Sequence, residues 1–161
     1  KSDYILATIH RQENTENEAK LRSIFSNLDK INKKLKIVMP LHPRTEKKIK
    51  KFNINTDIAF LSPVGYISML SLLNHAEIVI TDSGGLQKEA YFCKKKCITV
   101  RDQTEWVELI ASGVNILSDH QKLYEVFDKI IYKKCDFSKN HYGNGNAGEL
   151  IVNSMLDYFK S

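Results

Sequence analysis

Ile78-Val79-Ile80-Thr81-Asp82-Ser83-Gly84-Gly85-Leu86-Gln87-Lys88-Glu89-Ala90 reads as a strand, a turn and a helix in direct succession. The β-branched run is apolar without alternation, the mark of a parallel strand covered on both faces. Asp82, Ser83 and two glycines then break the strand, and apolar Leu86 and Ala90 recur at helical spacing. A strand that hands over to a helix within a few residues is one half of a βαβ unit.

The same alternation extends in both directions. Strand-like runs fall at 4–9, 36–40, 58–61, 78–81, 97–100 and 114–117. Helical patterns fall between them at 16–33, 45–52, 65–74, 84–92, 105–112 and 121–131. Gly113 stands where a left-handed residue would close the fifth of these, and Asp119 where a cap would open the sixth. A looser segment from Lys133 to Gly148 leads to a last amphipathic helix at about 147–159. Short links and repeated alternation specify an α/β, Rossmann-like three-layer domain with a parallel sheet, and one domain over 1–161 is the simplest count.

Composition excludes several classes. The chain has 161 residues, 42% hydrophobic and 27% charged, a globular balance rather than a disordered or fibrous one. Its net charge of +5 suits phosphate-bearing small molecules and equally a lysine-rich composition, so no nucleic-acid partner is expected. No apolar run is long enough to span a membrane. The chain opens without an initiator Met or a signal-peptide pattern and almost directly in a strand, which suggests a domain cut from something longer. Cys93, Cys97 and Cys135 fit neither a disulfide framework nor a zinc site; reduced thiols in a cytoplasm are expected, with no metal and no cofactor.

In open parallel sheets, ligands bind beyond the carboxyl ends of the strands. Polar or Gly-containing clusters follow five consecutive strands: His10 to Asn14, Leu41 to Thr45, Pro63 to Tyr66, Asp82 to Gly85, and Arg101 to Glu105. Gly84 and Gly85 lack Cβ atoms, so a pyrophosphate can approach amides at the positive end of the helix, with Ser83 as a hydroxyl donor and Glu89 in reach of a ribose. A tight turn capped by Asp82 or Ser83 is the plainer reading of the same residues. His10 suits a hydrogen bond to phosphate or sugar, or acid–base work, and a structural imidazole is its plainer reading. Pro43 stiffens the turn that projects His42 and Arg44, for which a solvated helix start is the alternative. Arg101 offers a guanidinium to phosphate, Thr104-Glu105 a helix cap, and Trp106 and Val107 read as core. The lysines around residues 46–51 and 94–96 read as wet surface, and Cys93 and Cys97 as small hydrophobes.

Taken together, Thr8-Ile9-His10-Arg11-Gln12-Glu13-Asn14, His42-Pro43-Arg44-Thr45, Thr81-Asp82-Ser83-Gly84-Gly85 with Gln87 and Glu89, Arg101 with Thr104-Glu105, and Tyr142 to Ala147 resemble the C-terminal half of a non-hydrolysing UDP-N-acetylglucosamine 2-epimerase. The resemblance implies the second Rossmann-like domain of a GT-B-type fold, whose N-terminal domain is absent here. It implies interconversion of UDP-N-acetylglucosamine and UDP-N-acetylmannosamine for polysaccharide synthesis, by elimination and re-addition of UDP through a 2-acetamidoglucal. Ser83, Gly84 and Gly85 would hold pyrophosphate, Glu89 the ribose, and the segment around Tyr66 and Met69 the uracil. His10 would be the catalytic-shell residue, Arg11 and Arg101 would bind substrate, and His42 matches an allosteric UDP-sugar position. A homodimer is the implied full-length assembly.

The family's acidic catalytic residues belong to the absent half, so the chain alone should bind UDP without epimerising. Lys88 replaces the first Glu of the usual pair, and Trp106 an Arg of many members, which leaves other UDP-amino sugars open. Lys94 stands for a usual Gly; a left-handed Lys there would cost about 1 kcal/mol. Two further classes compete: a UDP-sugar-binding half of a GT-B glycosyltransferase or hydrolysing epimerase, and a non-catalytic nucleotide-binding module.

Overall fold

The structure is a computed structural model that describes residues 4–160; residues 1–3 and 161 of the expected domain lie outside the described residues. In chain order it runs β1 (Tyr4–Thr8), α1 (Gln12–Thr15), α2 (Glu18–Lys34), β2 (Lys36–Pro40), α3 (Pro43–Lys51), β3 (Ala59–Leu61) and α4 (Tyr66–His75). It continues through β4 (Ile78–Thr81), α5 (Gly84–Phe92), β5 (Lys96–Thr99), α6 (Val107–Ala111), β6 (Asn115–Leu117), α7 (Leu123–Ile130) and α8 (Ala147–Lys160). The six strands form one sheet in the order β3-β2-β1-β4-β5-β6, every neighbouring pair parallel. The chain winds outward from β1 to β3, then returns to lay β4 beside β1. Their carboxyl ends therefore part company with connections running in opposite directions, which opens a crevice at that point.

Alternation along the central strands shows why three layers form. Ile5 and Ala7 of β1, Ile78 and Ile80 of β4 and Ile98 of β5 enter one core with Leu21, Ile24, Phe25, Leu28 and Ile31 of α2 and Leu123, Phe127 and Ile130 of α7. Leu6, Val79 and Cys97 face the other way, against Leu73 of α4 and Leu86 and Ala90 of α5. Truncating a fully buried residue such as Ile80 to Ala would cost about 2–5 kcal/mol, transfer and cavity terms combined. Asn17 opens α2 by accepting the Lys20 N–H at 3.0 Å.

Several boundaries differ from the sequence-based expectation, each for a local reason. Pro43 sits in the first turn of α3, two residues ahead of the expected start, where its missing N–H is harmless. The helix expected over 105–112 begins only at Val107, because the Thr104 hydroxyl takes the Trp106 N–H at 3.3 Å and holds the chain out of helical register. Val107, expected in the core, is exposed, while Trp106 is half-buried. The α1 turn was not expected at all. Strand β3 is an exposed edge. The last helix forms where expected, but its apolar residues lie open among the described residues. Gly113 is left-handed (φ 72°) as its place after α6 requires, and so is Lys94 (φ 54°).

Candidate functional site

The crevice is built from the ends of β1 and β4 upward. Thr8 and Thr81, register partners across that ladder, join hydroxyls at 2.6 Å in the buried interior. The Thr81 hydroxyl also accepts the Ser83 N–H at 2.9 Å, which turns the chain into α5. Ser83 is the N-cap, its hydroxyl accepting the Leu86 N–H at a long 3.5 Å. The Gly84 and Gly85 amides, the next two donors of this first turn, have no acceptor among the described residues. They are the free positive end of the helix.

A side chain at the first of these positions would press on the end of Glu105, and at the second it would have open space. A Cβ on Gly84 would lie 3.0 Å from Glu105 Oε1, whereas one on Gly85 would meet nothing within 4 Å. The buried Gln87 side chain ties the turn to its surroundings. It donates to Ser83 O at 3.2 Å and accepts from the Thr104 hydroxyl at 2.7 Å and from Asn115 Nδ2 at 3.0 Å.

A cleft of about 300 Å³ lies in front of this turn, and His10, His42, Met69, Ser83, Gly85 and Glu89 share its wall. Four of the five expected strand-end clusters thus converge, Leu41, Pro63 and Val64 among the other lining residues. The Glu89 carboxylate has no partner among the described residues. Arg11 lines an adjoining polar depression with Glu13 and Arg44. Tyr66, at the start of α4, is 63% exposed and outside the cleft lining.

Arg101 is not among the residues that line the cleft. Its guanidinium donates to Glu105 Oε2 at 2.6 Å and stands 3.4 Å from Glu13, while Arg11 lies 3.5 Å from the other oxygen of Glu105. The Glu105 carboxyl is held below the usual carboxylate range, first by its own main-chain N–H and then by Arg101 and Arg11.

The two imidazoles face each other. Their centroids are 5.5 Å apart, and His42 Nδ1 accepts the Arg44 N–H at 3.1 Å to cap α3. Burial first, then the nearby His10 and Arg44, push the His42 imidazole below its ordinary value. Sequence reasoning missed how Asp82 acts. Read as a turn cap, it instead aims a fully buried carboxylate at the loop after β1. No local pattern distinguishes those uses, because the partner lies about seventy residues away in sequence.

Comparison with known proteins gives a consistent result. The family model of UDP-N-acetylglucosamine 2-epimerase matches residues 1–156. A UDP-2,3-diacetamido-2,3-dideoxy-D-glucuronate 2-epimerase of Pseudomonas aeruginosa is 41% identical over 152 residues, spanning 92% of this chain and 43% of that protein. The crystal structure of the Methanocaldococcus jannaschii UDP-GlcNAc 2-epimerase in complex with UDP-GlcNAc and UDP is 40% identical with a TM-score of 0.87, over 98% of this chain and 46% of that one. An E. coli heptosyltransferase, 15% identical with a TM-score of 0.56, shares the fold alone. The chain spans under half the length of the relatives it matches.

Proposed function

Because this chain belongs to the UDP-N-acetylglucosamine 2-epimerase family, we propose that it is the nucleotide-binding half of a two-domain enzyme that inverts C2 of a UDP-linked 2-acetamido sugar. The observation that carries this reading is the pair of free amides at Gly84 and Gly85 in the first turn of α5, beside a cleft lined by Ser83, Gly85, Glu89 and His10.

In that reaction the C2 proton leaves, the C1–oxygen bond breaks with its electron pair going to the diphosphate, and a 2-acetamidoglucal remains. The proton then returns to the other face of C2 and the diphosphate re-adds at C1. Negative charge grows on UDP as it departs, so donors fixed in advance count most there. Ser83, Gly84 and Gly85 supply them, with Arg11 at the rim and His10 at the leaving oxygen. Glu89 accepts from the ribose hydroxyls. Met69 and the main chain near Tyr66 border the base, since the Tyr66 ring points to solvent. Arg101 contributes by holding Glu105 and Glu13 in place. His42, beside His10, is where a second UDP-sugar would act as an effector.

The acidic groups that move the C2 proton belong to the half of the enzyme that this chain lacks. The chain alone therefore binds UDP without turnover, and the full-length protein works as a homodimer. Three free thiols fit a reducing cytoplasm.

The test is product analysis of the full-length protein in deuterated water. Exchange at C2 with recovery of the intact UDP-sugar epimer supports the reading. Release of free sugar and UDP, or transfer to an acceptor, would replace it with a hydrolysing epimerase or a glycosyltransferase. The sugar itself has a second reading, a 2,3-diacetamido uronate, favoured by the 41% identity to the Pseudomonas aeruginosa enzyme. Both sugars belong in the assay.

A further inference from the structure

We infer that Asp82 is a positioning residue for the reaction: its buried carboxylate holds the His10–Arg11 loop at a fixed place relative to the Ser83–Gly85 turn. The inference rests on the functional reading above and deepens it.

Asp82 is fully buried at the end of β4. Its two oxygens accept the His10 N–H at 3.0 and 3.1 Å, the Arg11 N–H at 2.9 Å and Asn14 Nδ2 at 3.0 Å. Its own N–H donates to Thr8 O at 3.3 Å. A buried charge is costly unless nearly every lone pair is engaged, and here neutral main-chain donors do that work. The only basic side chain within 4.0 Å of it among the described residues is the His10 imidazole, at 3.9 Å. A carboxylate is the side chain suited to this place, because all its neighbours in the network donate. An amide would turn an NH2 toward one of them.

Asn14 shows the same priority. Its amide donates to both Asp82 and Val100 O at 3.0 Å, while its own carbonyl oxygen, also buried, has no donor. Leaving that acceptor unsatisfied is unfavourable, so the side chain is oriented for what it gives Asp82. The loop is held from its other side by the Thr45 hydroxyl on Ile9 O and by Arg44 Nη1, 3.4 Å from His10 O. Asp82 is also the residue next to Ser83. One side chain therefore fixes the distance between the His10 imidazole, proposed at the leaving oxygen, and the proposed diphosphate amides. Misplacement by about an ångström at such a pair can lower a rate a hundredfold.

The experiment compares D82N and N14A with wild type in the full-length protein. Steady-state kinetics are combined with thermal melts and residue-resolved amide hydrogen exchange. D82N is expected to lower kcat at least thirtyfold and raise KM less than fivefold. It is also expected to strip exchange protection from His10 and Arg11 while the β-strands keep theirs. N14A, which removes one donor, is expected to show the same split at about tenfold. A folded D82N with wild-type kcat overturns the inference. If D82N does not fold, N14A decides in its place, and an equal loss of protection across the sheet would mark a purely structural role and overturn it too. Absence of epimerisation by wild type would instead defeat the functional reading, and the exchange data would still report on the clamp.

Discussion

The hydroxyls of Thr8 and Thr81 meet at 2.6 Å at the seam where the sheet reverses its direction of winding. Because Thr81 also accepts the Ser83 N–H, this contact joins the core of the sheet to the turn that opens α5. Thr81→Val keeps the shape and removes the acceptor, leaving the buried Thr8 hydroxyl and the part-buried Ser83 amide without this partner. Urea denaturation is expected to show a loss of about 1–3 kcal/mol. An unchanged midpoint would mean that the turn is held by other contacts.

Gly85 separates stability from binding. Its side-chain space is empty and its φ is not in the left-handed region, so Gly85→Ala is expected to leave stability unchanged or raised by about 0.5–1 kcal/mol. The added methyl occupies the cleft where a diphosphate would sit. Calorimetric titration is expected to show UDP affinity down by tenfold or more. Wild-type affinity in this variant would place the ligand elsewhere.

His42 gives the fold a dependence on acid. Its folded-state pKa is depressed first by burial and then by the nearby His10 and Arg44, so the folded protein favours the neutral ring. That contribution is complete above the unfolded-state value of about 6.5 and fades as pH falls below it. Protonation at Nδ1 also removes the acceptor for the Arg44 N–H and so the α3 cap. NMR titration should place the ring below its ordinary value. His42→Asn, which keeps a cap without titrating, should flatten the stability profile between about pH 5 and 7. A ring that titrates above its ordinary value would contradict this.

Lys94 sits at φ 54° after α5, a conformation that a Cβ disfavours. Lys94→Gly relieves this, and chemical denaturation is expected to show a gain of about 1 kcal/mol with UDP affinity unchanged. The gain is diminished to the extent that glycine loosens the unfolded chain, and a net destabilisation would show that the backbone is not strained there.

Much of this was legible in the sequence because it is local. The β-branched run ending at Thr81 and the glycines after it fix a strand, a turn and a helix start with no help from the rest of the chain. Repeated along the chain, that grammar places the strand ends, and His10, His42, Ser83, Gly85 and Glu89 do meet in one cleft. What escaped depends on distant partners. Asp82 looks the same in sequence whether it caps its own helix or receives the His10 and Arg11 amides. The ion pairs of Arg101 with Glu105 and Glu13 have no local signature that would show Glu13 as a partner. Val107 follows an apolar pattern but starts a helix two residues later than expected and lies exposed.

The central claim is that a nucleoside diphosphate rests on the amides of the α5 turn. It is tested most directly by titrating this chain with UDP and, separately, with inorganic phosphate, while the amide resonances are followed by NMR. UDP is expected to bind at least tenfold more tightly than phosphate and to shift Gly84, Gly85 and the residues around Glu89. Equal affinities, or a response that leaves Gly84 and Gly85 unmoved, would contradict it.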